Sequence, residues 1–174
     1  MLTPELLIKL CNGKISTSKA NLFTPLLNKY MVEYDINNKL RVSAFIANLL
    51  VESGRLIYTE ELASGHAYEF RKDLGNTIAG DGVKFKGRGL IQITGRTNYQ
   101  LLFKAFNQDF IKFPELLEQP DNATRSACWF WSTHKLNTLA DKPDFKEVVR
   151  VINGGHNGMT ERQWYYDELM KIIE

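Results

Sequence analysis

Cysteine, histidine and long apolar runs are scarce in this chain of 174 residues, and each scarcity excludes something. Two cysteines, Cys11 and Cys128, lie far apart and do not amount to the disulfide framework of a small secreted domain. Three histidines (His66, His134, His156) form neither an HExxH pair nor a Cys/His ligand spacing, so no catalytic zinc is expected. The longest uninterrupted apolar run is five residues, Ala127 to Trp131, where a membrane-spanning helix needs about 20. Near the start, Glu5 and Lys9 bracket only Leu6-Leu7-Ile8, too short for a secretory leader. The chain is therefore read as made in the cytoplasm, without stable membrane insertion. A net charge of +2 gives no reason to expect nucleic acid as a partner.

What is present is ordinary for a globular protein: 44% hydrophobic and 24% charged residues, in a length that suits one compact domain. No repeat or linker interrupts it, so residues 1–174 are read as a single catalytic domain with no separate wall-binding module. Thr3-Pro4-Glu5 is a helix start. A second helix is expected over about 18–34, with Leu22, Leu26, Leu27, Tyr30 and Tyr34 on one face and Pro25 kinking it or marking its true start. A third runs from Asn38 to Ser53, with Leu40, Ala44, Phe45, Leu49 and Leu50 at helical spacing and Gly54 ending it. Thr97 caps a helix to about Phe106, Asp121 one to about Lys135, and another covers Asp144 to Ile152. Thr160-Glu161-Arg162-Gln163 reads as a capping box for a last helix that turns Trp164 and Leu169 inward.

Between these helical groups, residues 54–97 hold eight of the twelve glycines. Long irregular segments in compact domains often carry function, and Val83, Phe85 and Leu90-Ile91-Gln92-Ile93 argue that this one is packed. The expected architecture is mainly α, two helical lobes around a cleft, with a short β/loop glycine-rich insert. Gly87-Arg88-Gly89 begins like a dinucleotide fingerprint but has Gln92 at the third glycine position and lacks the strand-then-helix context. It is read instead as a tight turn feeding a short strand that presents Gln92 and Thr94 on one face.

Charge is uneven along this stretch. Glu52, Glu60, Glu61 and Glu69 face Arg55 alone, and then seven bases from Arg71 to Lys104 face only Asp73 and Asp81. This pattern fits two solvated faces, or a carboxylate centre beside a cationic surface for an anionic polymer. Glu52 follows Leu49-Leu50-Val51 at the end of an apolar helix, where desolvation raises a carboxyl pKa and suits it to general-acid work. Glu61 comes nine residues later, after a glycine turn that lets the chain fold back. Inverting glycosidases hold two carboxyls roughly 6.5–9.5 Å apart, leaving room for a water.

Ala44-Phe45-Ile46-Ala47 leading into Glu52-Ser53-Gly54, then Gly87-Arg88-Gly89-Leu90-Ile91-Gln92-Ile93-Thr94, Asn98-Tyr99, Trp129-Phe130-Trp131 and Val151-Ile152-Asn153-Gly154-Gly155 with Arg162 resemble the family 19 glycoside hydrolases. That family comprises chitinases and related phage endolysins, and the matches run in its order over roughly residues 40–170. The resemblance implies a lysozyme-like fold in which Glu52 is the general acid, Glu61 the general base and Thr94 a hydroxyl that helps hold the water. It places Gln92, Asn98 and Asn153 along the sugar cleft, Arg162 in support of the acid, and Tyr68 and Glu69 beside the sugar. No metal or organic cofactor is required. Two positions depart from the family: Val51 replaces a common His before the acid, and Arg55 a glycine after it. Glu60 remains an alternative base, and Glu69 a further one.

The basic block favours the peptidoglycan glycan strand over chitin as substrate, and the short chain resembles an endolysin that acts as a monomer on the cell wall after release by another protein. Chitin oligomers are the alternative substrate. A non-catalytic carbohydrate-binding protein and a wall-targeting effector are the other readings. Trp129, Phe130 and Trp131 are read as core rather than as a sugar platform, His66 as a surface residue, and Cys128 as a buried thiol.

Overall fold

The computed structural model describes residues 1–142 and 144–173. Its helices, in chain order, are α1 Pro4–Leu10, α2 Thr17–Glu33, α3 Lys39–Glu52, α4 Asp81–Lys84, α5 Arg96–Phe106, α6 Pro120–Thr133, α7 Leu136–Ala140, α8 Phe145–Asn153 and α9 Met159–Ile172. Among the described residues no strand forms; the only β pairings are isolated bridges of Arg88 with Glu60 and with Ile93. The protein is thus mainly α, as expected. None of its described helices is long and apolar enough to cross a membrane. The chain divides into two compact units: Met1–Ile57 with Ala127–Glu174, and Tyr58–Ser126.

In the first unit the helix starts follow local chemistry. The Thr3 hydroxyl accepts from Leu6 N–H at 3.2 Å and Pro4 has no N–H to satisfy; the Asn38 side chain accepts from Arg41 N–H at 2.9 Å. Asp144 does the same for Glu147 N–H at 3.2 Å. α2 starts at Thr17, so Pro25 does not mark its beginning; the helix continues through it, with Pro25 exposed where the carbonyl it leaves unpaired can reach water. The buried stripe of α2 is Ala20, Phe23, Thr24, Leu27, Tyr30 and Met31. Leu22, expected inward, is exposed, while Leu26 and Tyr34 are half-buried. The 3.6-residue period places the stripe one position away from the row of leucines.

α3 is buried on every side from Ser43 to Leu50 and packs against α9. Phe45 meets Trp131 edge to face, centroids 5.3 Å apart; burying one such side chain contributes about 2–3 kcal/mol. Trp131 is fully buried, Trp129 and Phe130 are half-buried, and burial pushes the Cys128 thiol well above its ordinary pKa. α9 begins behind Gly158 at φ +68°, so Thr160 lies inside the first turn and caps nothing. Its buried residues are Arg162, Tyr165 and Leu169; Trp164, expected inward, lies off that stripe and is 43% exposed.

In the second unit the core is built from Phe85, Leu90, Ile93, Tyr99, Leu102, Phe106, Phe110 and Leu117. α5 opens behind Gly95 rather than at Thr97, and α6 at Pro120 rather than at an Asp121 cap. The expected strand over 90–93 is instead a closed loop. Arg88 and Ile93 exchange both backbone hydrogen bonds (3.1 and 2.8 Å), and Gln92 between them takes φ +56°. Leu90 and Ile93 are buried while Ile91 and Gln92 are half-buried, a spacing of three that a pleated strand of period two does not produce. Val83, expected in the core, is exposed.

Candidate active site

The first unit holds Glu52 at the last position of α3. Arg162 reaches it from the first turns of α9, with Nη2 donating to Glu52 Oε1 at 2.6 Å. The same guanidinium donates through Nη1 to Asn48 Oδ1 at 2.8 Å and through Nε to the Asn157 carbonyl at 3.1 Å. Asn48 lies one helical turn before Glu52 and is itself buried, its amide donating to the Ala44 carbonyl. Asn153, at the end of α8, accepts from Asn157 N–H at 3.2 Å, so it joins the same network one step removed. Sequence reasoning missed Asn48. Its signal was available: a lone amide within the apolar run Ala44–Val51, four residues before the carboxylate.

Just after Glu52 the backbone makes an unusual turn. Gly54, Arg55 and Leu56 all take positive φ (+55°, +64°, +62°), a region that costs a non-glycine residue about 1–2 kcal/mol. Side chains hold it in place. Ser53 Oγ accepts from Leu56 N–H at 2.9 Å, and Arg55 donates to Glu161 at 2.5 Å and to the Tyr165 hydroxyl at 3.1 Å. The arginine that replaces the family's glycine therefore ties the turn after Glu52 to the start of α9.

The second unit holds Glu61. Its Oε1 accepts from the Tyr68 hydroxyl at 2.9 Å and its Oε2 from Gly87 N–H at 3.0 Å, while its own N–H donates to the Gly87 carbonyl at 2.9 Å. Burial, and after it the bond to Glu61, pushes the Tyr68 phenol above its ordinary value, so it remains a donor at neutral pH. Gly87 is needed here for space. A Cβ would stand 2.9 Å from Gln92 Oε1 and 3.0 Å from Glu61 Oε2. Gln92 thus lies beside Glu61 with its amide donating to the Gly89 carbonyl at 3.0 Å, and its buried Oε1 accepts from no described group. The Thr94 hydroxyl donates to the Gln92 carbonyl at 2.9 Å, and Asn98 donates to the Thr94 carbonyl at 2.8 Å.

The rival carboxylates are engaged elsewhere. Glu60 pairs with Lys86 at 2.8 Å and lies 3.8 Å from Arg88. Glu69 accepts from the backbone N–H groups of Gly80 (3.0 Å) and Val83 (3.4 Å), bracing a loop. Arg88, centre of the Gly-Arg-Gly segment, is structural: it is buried and donates to Glu118, to the Lys84 carbonyl and to the Tyr99 hydroxyl. Arg71 pairs with Asp73, and Arg96 with the buried Asp81. Of the seven bases in the block, only Lys72, Lys84 and Lys104 are exposed and enter no ion pair among the described residues. Among those residues no cluster of His, Cys, Asp and Glu has the makings of a metal site.

So the expected site residues fall into two groups. Glu52, Arg162 and Asn153 are linked in the first unit; in the second, Tyr68 is bonded to Glu61 and a separate chain of bonds joins Gln92, Thr94 and Asn98, and Glu69 stands outside these sets. A family described as "Chitinase class I" matches residues 52–162, a span that starts at Glu52 and ends at Arg162. A Haemophilus influenzae protein named "Glycosyl hydrolase family 19 domain-containing protein" is 38% identical over 110 residues, covering 63% of this chain and 53% of its own length. "Endochitinase CHI" of Arabidopsis thaliana is 31% identical over 123 residues, 67% of this chain and 43% of its own length. The chain spans about half the length of the curated relatives it matches. Chitinase C from Streptomyces griseus HUT6037 superposes with TM-score 0.75 at 22% identity, over 98% of this chain and 91% of that one, a likeness of fold.

Proposed function

Since the chain belongs to the family 19 glycoside hydrolases, we propose that it hydrolyses β-1,4 bonds between amino sugars in the glycan strand of peptidoglycan, by an inverting general acid/base mechanism. Glu52 donates its proton to the glycosidic oxygen as the C–O bond breaks. Glu61 takes a proton from the water that attacks the opposite face of the anomeric carbon, and the positive charge building on the ring is dispersed toward the ring oxygen. Each side chain is held in place. Arg162 fixes one Glu52 oxygen, and the proton to be donated is carried on the other. Tyr68 and Gly87 fix Glu61 through neutral donors, so its charge is not cancelled by an ion pair as that of Glu60 is.

The observation that carries this reading is the contrast between neighbouring carboxylates: Glu61 held by a phenol and a backbone N–H, Glu60 spent on Lys86. Peptidoglycan is preferred for Lys72, Lys84 and Lys104, whose charges suit the lactyl-peptide carboxylates of the wall. That basis is narrower than the seven bases of the sequence. The name of the Arabidopsis thaliana relative, an endochitinase, favours a second reading, hydrolysis of chitin. Incubation with purified, chloroform-treated Gram-negative walls and in parallel with colloidal chitin, followed by analysis of new reducing ends, separates the two. Release from walls and little from chitin is expected; the reverse selects the chitinase, and release from neither rejects both.

A further inference from the structure

Trp164 stands 43% exposed on α9, although its neighbour Tyr165 is buried. The two rings meet in a T-shaped contact, centroids 5.1 Å apart, which leaves at least one indole face uncovered by Tyr165. Concavities open on either side. One, of about 370 Å³, is lined by Asn12, Lys14, Arg55 and Glu161; the other, of about 450 Å³, by Lys146, Gln163 and Asp167; Thr160 and Trp164 belong to both. The arrangement is an apolar plate with a polar rim. A pyranose ring matches it in kind, with apolar C–H faces to lie on the indole and equatorial hydroxyl and acetamido groups to meet Asn12, Thr160 and Gln163. The Arg55–Glu161 pair supplies charged partners for hydroxyls on the same rim. Thiol chemistry does not explain the first concavity, because burial pushes the Cys11 thiol that also lines it up to about 11.

This face is separate from the Glu52 contact. Trp164 follows Arg162 by two positions, roughly 200° around the helix, so the residue that holds Glu52 and the exposed indole point different ways from one rigid element. We propose that Trp164 is the platform of a second, non-catalytic binding site for strands of β-1,4-linked N-acetylated amino sugars, which keeps the polymer on the enzyme between cuts. The choice of sugar rests on the hydrolase reading above; the existence of the site rests on Trp164 and its two concavities.

The test separates retention from turnover. In a Glu52→Gln background, co-sedimentation with peptidoglycan sacculi and with colloidal chitin is compared for Trp164, Trp164→Ala and Trp164→Phe; hydrolysis of a soluble tetramer, prepared from the peptidoglycan glycan strand and from chitin, is followed with Glu52 intact. Trp164→Ala is expected to weaken retention about tenfold or more on the polymer that the site takes, Trp164→Phe to restore part of it, and tetramer turnover to stay as in the parent. Unchanged retention in Trp164→Ala on both polymers overturns the proposal, and so does a loss of retention matched by an equal loss on the tetramer. Failure of the parent to cleave any glycan rejects the hydrolase reading alone, since the sedimentation difference still reports on Trp164.

Discussion

Arg162 Nη2 lies 2.6 Å from Glu52 Oε1, and the arginine that makes this contact is 2% exposed. A buried guanidinium must have its donors met, and Asn48 and the Asn157 carbonyl meet two more of them. The carboxylate is thereby fixed to a helix on one side and to a satisfied polar network on the other. Position here comes from hydrogen bonds, not from apolar packing alone.

Replacing Arg162 by Met should cost about 3 kcal/mol, because Asn48 and Glu52 are left without their shared donor. Arg162→Lys should fall between, since an ammonium lacks the fork that serves three acceptors at once. Urea midpoints of the purified variants check the order, and glycan turnover should fall more than tenfold in both. Equal midpoints for the parent and Arg162→Met would sink the claim that the network holds Glu52.

The two neighbouring glutamates should behave differently. Glu61→Gln is expected to lower kcat by about 10²-fold or more with the fold intact, because the amide still accepts from Tyr68 or Gly87 but takes no proton from water. Glu60→Gln should lose only a small factor and a little stability, as an exposed ion pair does. A larger loss of kcat in Glu60→Gln would reassign the base.

Gly87→Ala tests the close approach at Glu61. With a Cβ 3.0 Å from the carboxylate and 2.9 Å from Gln92 Oε1, both ends of side chains that can swing aside, the variant should lose about 1 kcal/mol or less. Its kcat should fall further than that modest destabilisation accounts for, since the displaced groups are Glu61 and Gln92. A kcat equal to the parent's would show that the loop gives way without moving either side chain.

Acid sensitivity is expected from the second unit. The Arg96 guanidinium, with the N–H groups of Ile78 and Thr77, holds the buried Asp81 carboxyl below the usual carboxylate range. The folded state therefore favours the ionised form. Its stabilisation is complete above the pKa that Asp81 has in the unfolded chain, and is lost as pH falls through the lowered folded value. Asp81→Asn should be about 2 kcal/mol less stable than the parent at pH 7. That gap should narrow as pH falls below the usual carboxylate range; a gap independent of pH contradicts the assignment.

Much of this was legible in the sequence where the cause is local. Thr3, Asn38 and Asp144 cap the helices they precede, and an apolar run ending in Glu52 leaves that carboxylate at a helix end. The misses share a cause. Gln92 looked like a strand residue because its neighbours are apolar, but the two-way pairing of Arg88 with Ile93 closes a loop that only backbone geometry reveals. Trp164 looked inward because it is large and apolar, yet the stripe of α9 that faces the core is set by Arg162, Tyr165 and Leu169. The basic block looked cationic because Glu60 and Glu118, which pair with Lys86 and Arg88, lie outside it, Glu118 standing 30 residues from Arg88.

The stereochemistry of the first product tests the paired-carboxylate account most directly. Proton NMR of a soluble β-1,4-linked glycan-strand fragment of peptidoglycan, recorded from the first minutes of reaction, should show the new reducing end appearing as the α-anomer, with Glu52→Gln and Glu61→Gln each abolishing the signal. A β-anomer formed first would mean a covalent intermediate on a carboxylate nucleophile, and would contradict the division of acid and base between Glu52 and Glu61.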